Sequence, residues 1–411
     1  MAVGGWKKTG RLMALGGLAL VLAGPAVSAK QPPKAASAPP VESTPARKLE
    51  TAIMTALVPV GEPGWQVPTR PRITPTGTGF SLKAEAISYL LGHGLALDFE
   101  AVEAQLTPQP GGTFNVVAEL GGYVTLRAPE GVWATAYPGR NHLTGVWDPA
   151  RESFRSLDVT MGAFNVSLAN GAMISLDQAV GRFTTPDERV DGTVTLTGVQ
   201  TGLVGSYQGR TADEVFLKFR LDSPGAQPVI ALDYRHSLPG TGLTGIAGEL
   251  MPLRLGLAAR IDSFPWQNVL AELPPWLVEV ASRTPPNPGQ MWSALWTHVA
   301  KALGEGNAQM AVERVDARSA ALVANGSGAV SFAAAGPRGN LQADLRGINE
   351  RIAQLSSADR RNNPMLFPAL ALMTVVGDGV NEGGRRFHRY RIELAENGLK
   401  VNGRDAGGLK P

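Results

Sequence analysis

Cysteine is absent from the 411 residues. No disulfide can form and no N-terminal cysteine can be lipidated, so an exported form of the chain must be held together by its core alone. A chain of this length can do so, because most of its surface is buried on folding. Aromatic residues are sparse at 6%, which argues against stacking platforms for nucleic-acid bases. An excess of one charge is missing as well. The chain carries 38 Lys+Arg and 35 Asp+Glu, and three of the basic residues, Lys7, Lys8 and Arg11, lie in the first 29. Beyond that segment the balance is 35 against 35. The basic pI near 9.1 therefore owes much to the N-terminal segment, and global charge gives no argument for nucleic acid or an anionic membrane as partner.

Catalytic signatures are also lacking. Neither a Gly-x-Ser-x-Gly elbow nor a His-Glu-x-x-His pair occurs. The five histidines, His93, His142, His236, His298 and His388, are spread so that no two lie within 40 residues of each other. The nearest carboxylate pairs, Asp98 with Glu100 and Asp187 with Glu188, read as solvated strand faces, not as a glycoside-hydrolysing pair. Gly240, Gly242 and Gly245 spell a Gly-x-Gly-x-x-Gly run after a candidate strand. Gly248, Pro252 and Gly256 interrupt the helix that a dinucleotide fingerprint requires, so this is read as a glycine-rich loop. No catalytic, cofactor-binding or metal-ligating residue is assigned, and no cofactor is implied.

What is present begins with a leader. Lys7, Lys8 and Arg11 precede an apolar run from Leu12 to Ala23, and Pro25 precedes Val27-Ser28-Ala29, which fits a small-x-small cleavage site. Gly16, Gly17 and Pro25 interrupt a stretch shorter than the roughly 20 residues of a spanning helix. A cleavable signal peptide at 1–29 and a periplasmic location are expected; an uncleaved anchor is the alternative. Residues 30–50, with Pro32, Pro33, Pro39, Pro40 and Pro45, read as an extended linker.

From about residue 75 to 250 the apolar period is two. Val215, Leu217, Phe219 and Leu221 share one face, with Phe216 the exception. Candidate strands are 80–90, 95–106, 113–120, 123–128 and 228–234, and Asn170-Gly171 marks a hairpin turn. Asp191-Gly192 and Asn325-Gly326 read as further turns. Between 265 and 304 the period becomes helical: Trp292, Leu295, Trp296, Val299 and Leu303 predict a helix with two tryptophans on its buried side. Trp266–Leu277 predicts another, interrupted at Pro274-Pro275. Leu341, Leu345, Ile348, Ile352 and Leu355 predict a third. The 12-residue apolar run Met365–Val376 is too short to span a bilayer and reads as a buried core helix. A closing hairpin turns at Asn397-Gly398. Its Arg385, Arg386, Arg389 and Arg391, with Lys400 and Arg404 across the turn, read as charges that stop an edge strand from pairing with other chains. Capture of anionic headgroups or polysaccharide is the alternative.

The expected organisation is a signal peptide at 1–29, a linker at 30–50, an antiparallel β domain at 51–250, a helical segment at 251–304 and a C-terminal α+β part at 305–411. The fold class is β-rich α+β: a large curved antiparallel meander sheet with a helical middle segment. So few helices cannot cover both faces of such a sheet, so it curls or leaves an apolar trough.

Gly79-Phe80-Ser81-Leu82 at the start of the strands, the helical middle and the closing Asn397–Gly403 run carry a resemblance. The chain resembles a family of uncharacterised secreted alphaproteobacterial proteins, and more widely is similar to AsmA-type β-groove proteins. The wider likeness implies lipid movement between membranes; neither likeness supplies functional residues. The expected function is a non-enzymatic periplasmic protein that binds or passes lipid or another apolar ligand along a β-sheet groove. A structural or adaptor protein of the cell envelope, with a protein partner, is the alternative. A hydrolase comes third and needs histidines or carboxylates to converge in one pocket.

Overall fold

The structure, a computed structural model, describes residues 49, 51, 64–66 and 71–405, apart from 152, 170, 187–188, 204–208, 223–228, 238–249, 251–252, 282–287, 363–365 and 396–397. The expected leader 1–29, the expected linker except Leu49, the Gly240–Gly245 loop and Asp187-Glu188 lie outside the described residues. Leu49 is buried in the same apolar cluster as Leu82 and Leu106.

Among the described residues twenty strands form one antiparallel sheet. β1 (Gly64–Gln66) and β2 (Arg72–Pro75) share the lane beside β3 (Phe80–Gly92). β4 (Leu95–Pro108) and β5 (Phe114–Ala128) follow. β6 (Gly131–Tyr137) and β7 (Arg140–Asp148) share the next lane, between β5 and β8 (Ser153–Leu168). The meander continues through β9 (Ala172–Thr184), β10 (Arg189–Leu203), β11 (Gly209–Asp222), β12 (Val229–Ser237), β13 (Arg254–Asp262), β14 (Gln309–Arg318), β15 (Val323–Ser331) and β16 (Arg338–Arg346). Then come β17 (Asp378–Glu382), β18 (Arg385–Ala395), β19 (Gly398–Val401) and β20 (Arg404–Asp405). Two helices, α1 (Trp266–Ala281) and α2 (Pro288–Glu305), stand between β13 and β14. Three more, α3 (Ile348–Gln354), α4 (Ser357–Asn362) and α5 (Leu366–Val376), stand between β16 and β17. This is the β-rich α+β meander that the period-two pattern predicts.

Register is fixed on one face by apolar burial and on the other by charge. Lys83 lies opposite Glu103, Asp158 opposite Arg182, Asp191 opposite Arg220 and Asp344 opposite Arg389. Each pair is a salt bridge. The exposed ones contribute at most about 1 kcal/mol each, but a slip of one residue would turn every apolar side chain into water.

The strands β3 to β11 carry a crease. Along β4 the apolar positions run Leu95, Leu97, Phe99 and then Val102, Ala104, Leu106. Along β8 they run Leu157, Val159 and then Phe164, Val166, Leu168; along β10, Val194, Leu196 and then Val199. The alternation changes phase at one residue in each strand. The ladders skip those positions: pairing passes from Glu85–Ala101 to Ile87–Phe99, from Gly162–Gln178 to Phe164–Leu176, and from Thr197–Glu214 to Val199–Ala212. Ala86, Gly122, Gly139, Ala163 and Gly198 all have left-handed backbone, with φ of 54, 73, 52, 52 and 63°. The phase change keeps both halves of β8 to β11 in one apolar cluster.

The sheet also curls. Ten lanes from β3 to β13, at about 4.8 Å between neighbours, would span roughly 43 Å if flat. Yet α1 follows β13 directly and touches β3. Its Trp276 shares one cluster with Leu95, Leu196, Val215 and Tyr234.

Several local expectations are corrected. Residues 114–128 form one strand, β5, because the glycines at 121–122 crease it without ending it. Asp191-Gly192 lies inside β10, where a side chain at 192 would collide with the rings of Phe219 and Phe183. Asn325-Gly326 lies inside β15; the turn is at Ser319, whose Oγ accepts from the amides of Ala321 and Leu322. Leu341 and Leu345 are on β16, not on a helix, since a four-residue spacing also satisfies period two. α1 continues through Pro274 and Pro275, because burial of Trp276 at 4% exposure outweighs the donors the prolines remove. Trp296 points outward and is 52% exposed. The inward positions of α2 are the small Ala294 and Ala302 and the apolar Leu303, with His298 among them. α5 is not a buried core helix: Leu370 is buried, but Leu372 and Val375 are more than 60% exposed.

Candidate functional site: the creased apolar face and its helical hairpin

The curled sheet turns one apolar face inward. Its fully buried part includes Leu97, Leu126, Ile174 and Leu196. Around these, Phe99, Trp133, Leu157, Phe164, Leu217 and Phe219 are only partly buried. Large apolar side chains therefore line a face that the described residues close incompletely. The outer face carries the charged ladders, among them Asp233 with Arg235 and Arg314. Phe216, the exception in the β11 pattern, lies beneath the guanidinium of Arg235 at 5.3 Å.

The cover comes from α1 and α2. Trp276 and Leu273 of α1, with Ala294 and Leu295 of α2, pack against the sheet. The Trp276 ring lies 5.8 Å from that of Trp133 on β6. The hairpin's other side joins a second cluster, in which Val269, Val299 and Leu303 meet Ile261, Val330 and Phe332. The hairpin thus bridges two sections of one sheet.

A polar seam holds the two helices together. Glu272 Oε2 lies 2.6 Å from His298 Nδ1, and Glu279 Oε2 lies 3.4 Å from His298 Nε2. Lys301 Nζ donates to Glu272 Oε1 at 2.5 Å, and Asn268 donates to Glu305 at 3.3 Å. Burial opposes ionisation of Glu272, but hydrogen bonds from Lys301 and His298 outweigh it and hold the carboxyl below the usual range. Both imidazole nitrogens face carboxylates, an arrangement suited to strapping two helices and not to abstracting a proton. A carboxyl with a depressed folded-state pKa stabilises the fold above its unfolded value, and that stability is lost as pH falls through the folded value. The melting temperature should therefore hold above about pH 5 and decline below about pH 4. Glu272→Gln should cost about 1–3 kcal/mol at neutral pH and flatten that decline. An unchanged acid limb in thermal melts of the variant would show that the seam is idle.

The residues singled out by sequence do not converge. His93 is exposed in the β3–β4 turn, with φ of 56°. His142 is exposed on β7. His236 is buried on β12, 3.0 Å from the Tyr234 hydroxyl. His298 sits in the helical seam, and His388 is buried on β18, 3.3 Å from Asn349. Asp98 is a structural carboxylate. Burial opposes its ionisation, but hydrogen bonds from Arg127 and Ser88 outweigh it and lower its pKa. Glu100 accepts from the amide of Tyr123 at the crease. Among the described residues no cluster of His, Asp and Glu is arranged to hold a metal ion, and no helix is long and apolar enough to cross a membrane.

The basic hairpin is corrected in one respect. β18 is not an edge strand: it pairs with β16 on one side and with β17 and β19 on the other. Arg389 is bound bidentately by Asp344 at 2.9 and 3.1 Å. Lys400 lies opposite Glu393. The pairing of Trp133 with Trp276 is not legible in the sequence, because nothing local pairs a strand residue with a helix residue 143 positions later.

No family model, curated protein or solved structure matches this chain.

Proposed function

We propose that this protein is a non-enzymatic binder that holds, or passes along, a lipid or another apolar ligand on the creased inner face of its sheet. One observation carries this reading. Phe99, Trp133, Leu157, Phe164, Leu217 and Phe219 form an apolar lining that is only partly buried. A face of that kind suits an acyl chain, which needs apolar area and no directional partner. The likeness to AsmA-type β-groove proteins leads the same way. Export to the periplasm is part of the proposal, since it would place the face where envelope lipids are handled.

The test is native mass spectrometry of the chain purified without its first 29 residues, alongside titration with a fluorescent fatty acid. Co-purified lipid and saturable uptake are expected. Trp133→Asp, which puts a charge on the lining, should lower the affinity for the fatty acid by tenfold or more, at about 1.4 kcal/mol per factor of ten. A clean apo mass with no uptake would overturn the proposal and favour the adaptor reading.

A further inference from the structure

α5 has the composition of a core helix and the placement of a surface one. Its sequence from Leu366 to Val376 holds no charged residue. One side packs inward through Leu370, with Phe367 against the cluster of Leu345, Ile348 and Leu355. On the helical wheel the opposite side is contiguous: Val375, Pro368, Leu372, Ala369 and Met373 are all exposed. Leu372 is 62% and Val375 65% exposed. Solitary exposed leucines are ordinary, but an uninterrupted apolar helix face on a chain with 18% charged residues is not.

The surroundings say what would cover it. Arg360, on α4, lies over the Phe367 ring at 4.5 Å, at one end of the helix. Arg404 donates to the carbonyl of Val375 at 3.4 Å, at the other end. Both arginines are exposed, as are Arg361, Arg385, Arg386 and Arg391. Among the described residues none of these six takes part in a salt bridge, whereas Arg389 between them is fully engaged by Asp344 and Glu382. The C-terminal end of the helix is tied to the sheet by two hydrogen bonds. The Tyr390 hydroxyl donates to the carbonyl of Met373, and Asn402 Nδ2 donates to that of Val376.

We infer that the exposed face of α5, bracketed by Arg360 and Arg404, docks on the surface of an anionic lipid bilayer. Leu372, Met373 and Val375 enter the headgroup–acyl boundary, and the guanidiniums that form no salt bridge meet lipid phosphates. At 11 residues the helix cannot span; it lies in the interface. This goes beyond the ligand-binding proposal and does not rest on it, because the face lies on a different element from the creased sheet. A hydrophobic patch alone would also suit a protein partner. The arginines without acidic partners at both ends favour phosphate-bearing lipid.

The experiment is co-sedimentation of the chain lacking residues 1–29 with two sets of vesicles, phosphatidylcholine alone and phosphatidylcholine with phosphatidylglycerol. Binding is expected only with the anionic lipid, and it should weaken at high salt. Leu372→Asp should reduce it by tenfold or more. Arg360→Glu or Arg404→Glu should each reduce it by about fivefold or more. Because Leu372 is exposed, its variant should keep the parent's circular dichroism and melting temperature, which separates lost docking from lost folding. Fatty-acid uptake should be unchanged in these variants, so the two proposals stand or fall separately. Equal binding to both vesicle types, no binding to either, or full binding by Leu372→Asp would each overturn the inference. So would a concentration-dependent dimer in sedimentation velocity that Leu372→Asp abolishes, since the face would then be a self-association surface.

Discussion

Replacing Trp276 with alanine is expected to destabilise the fold by about 3–5 kcal/mol. The indole is 4% exposed and lies 5.8 Å from Trp133. Its cluster runs from Leu95 on β4 to Tyr234 on β12. The surrounding face cannot collapse into the space, because the far side of the hairpin is pinned by Leu303 in a separate cluster. The expected cost is therefore that of a retained cavity and not only of lost transfer energy. Urea unfolding should show a lower midpoint, and native-state binding of a hydrophobic dye should rise as the inner face opens. Trp296→Ala is the internal control. That residue is 52% exposed, and its replacement should change stability by no more than about 0.5 kcal/mol. Periodicity assigned the buried face of α2 to Trp292 and Trp296, so equal losses at 276 and 296 would vindicate the wheel and contradict the packing.

That contrast shows where sequence reading ends. Period two along Val215, Leu217, Phe219 and Leu221 was legible because each residue answers to its neighbours two apart on one strand. The overall meander followed from many such runs. Asn325-Gly326 misled because a glycine beside asparagine is wanted both in a turn and wherever backbone passes close. A Cβ at 326 would lie 2.9 Å from the carbonyl oxygen of Gln342 on the next strand. Leu341 and Leu345 misled because a spacing of four fits both periods, and only the left-handed Gly347, with φ of 92°, separates strand from helix. α5 misled because hydropathy counts apolar residues without counting what is available to cover them. The hairpin's place inside the curl was illegible in principle, since contact between Trp133 and Trp276 depends on how far the whole sheet bends. The same holds for the candidate site: its lining was visible as apolar positions, but its cover was not.

The crease itself supplies the other large expected effect. Gly139→Val should cost at least about 3 kcal/mol, a loss read directly from thermal melts. Gly139 joins β6 to β7 in their shared lane, with φ of 52°, a backbone region β-branched residues essentially avoid. A Cβ there would fall 2.2 Å from the carbonyl oxygen of Gly162 and 2.9 Å from that of Ala163. Both obstacles are backbone, so no side-chain rotation relieves them, and Ala163 is itself left-handed. Gly112→Val separates the two contributions. Its φ of 81° is equally unfavourable, but nothing lies within 4 Å of an added Cβ, so only backbone strain of about 1–2 kcal/mol is expected. If the two variants melt alike, close approach at the crease is not what demands glycine. If Gly139→Val is the worse by a wide margin, β7 must move away from β8 to accept it. That movement would break the register at which the apolar alternation of β8 changes phase. Phe164, Val166 and Leu168 would then leave the inner face together, and fatty-acid uptake should be lost even at temperatures where the variant remains folded.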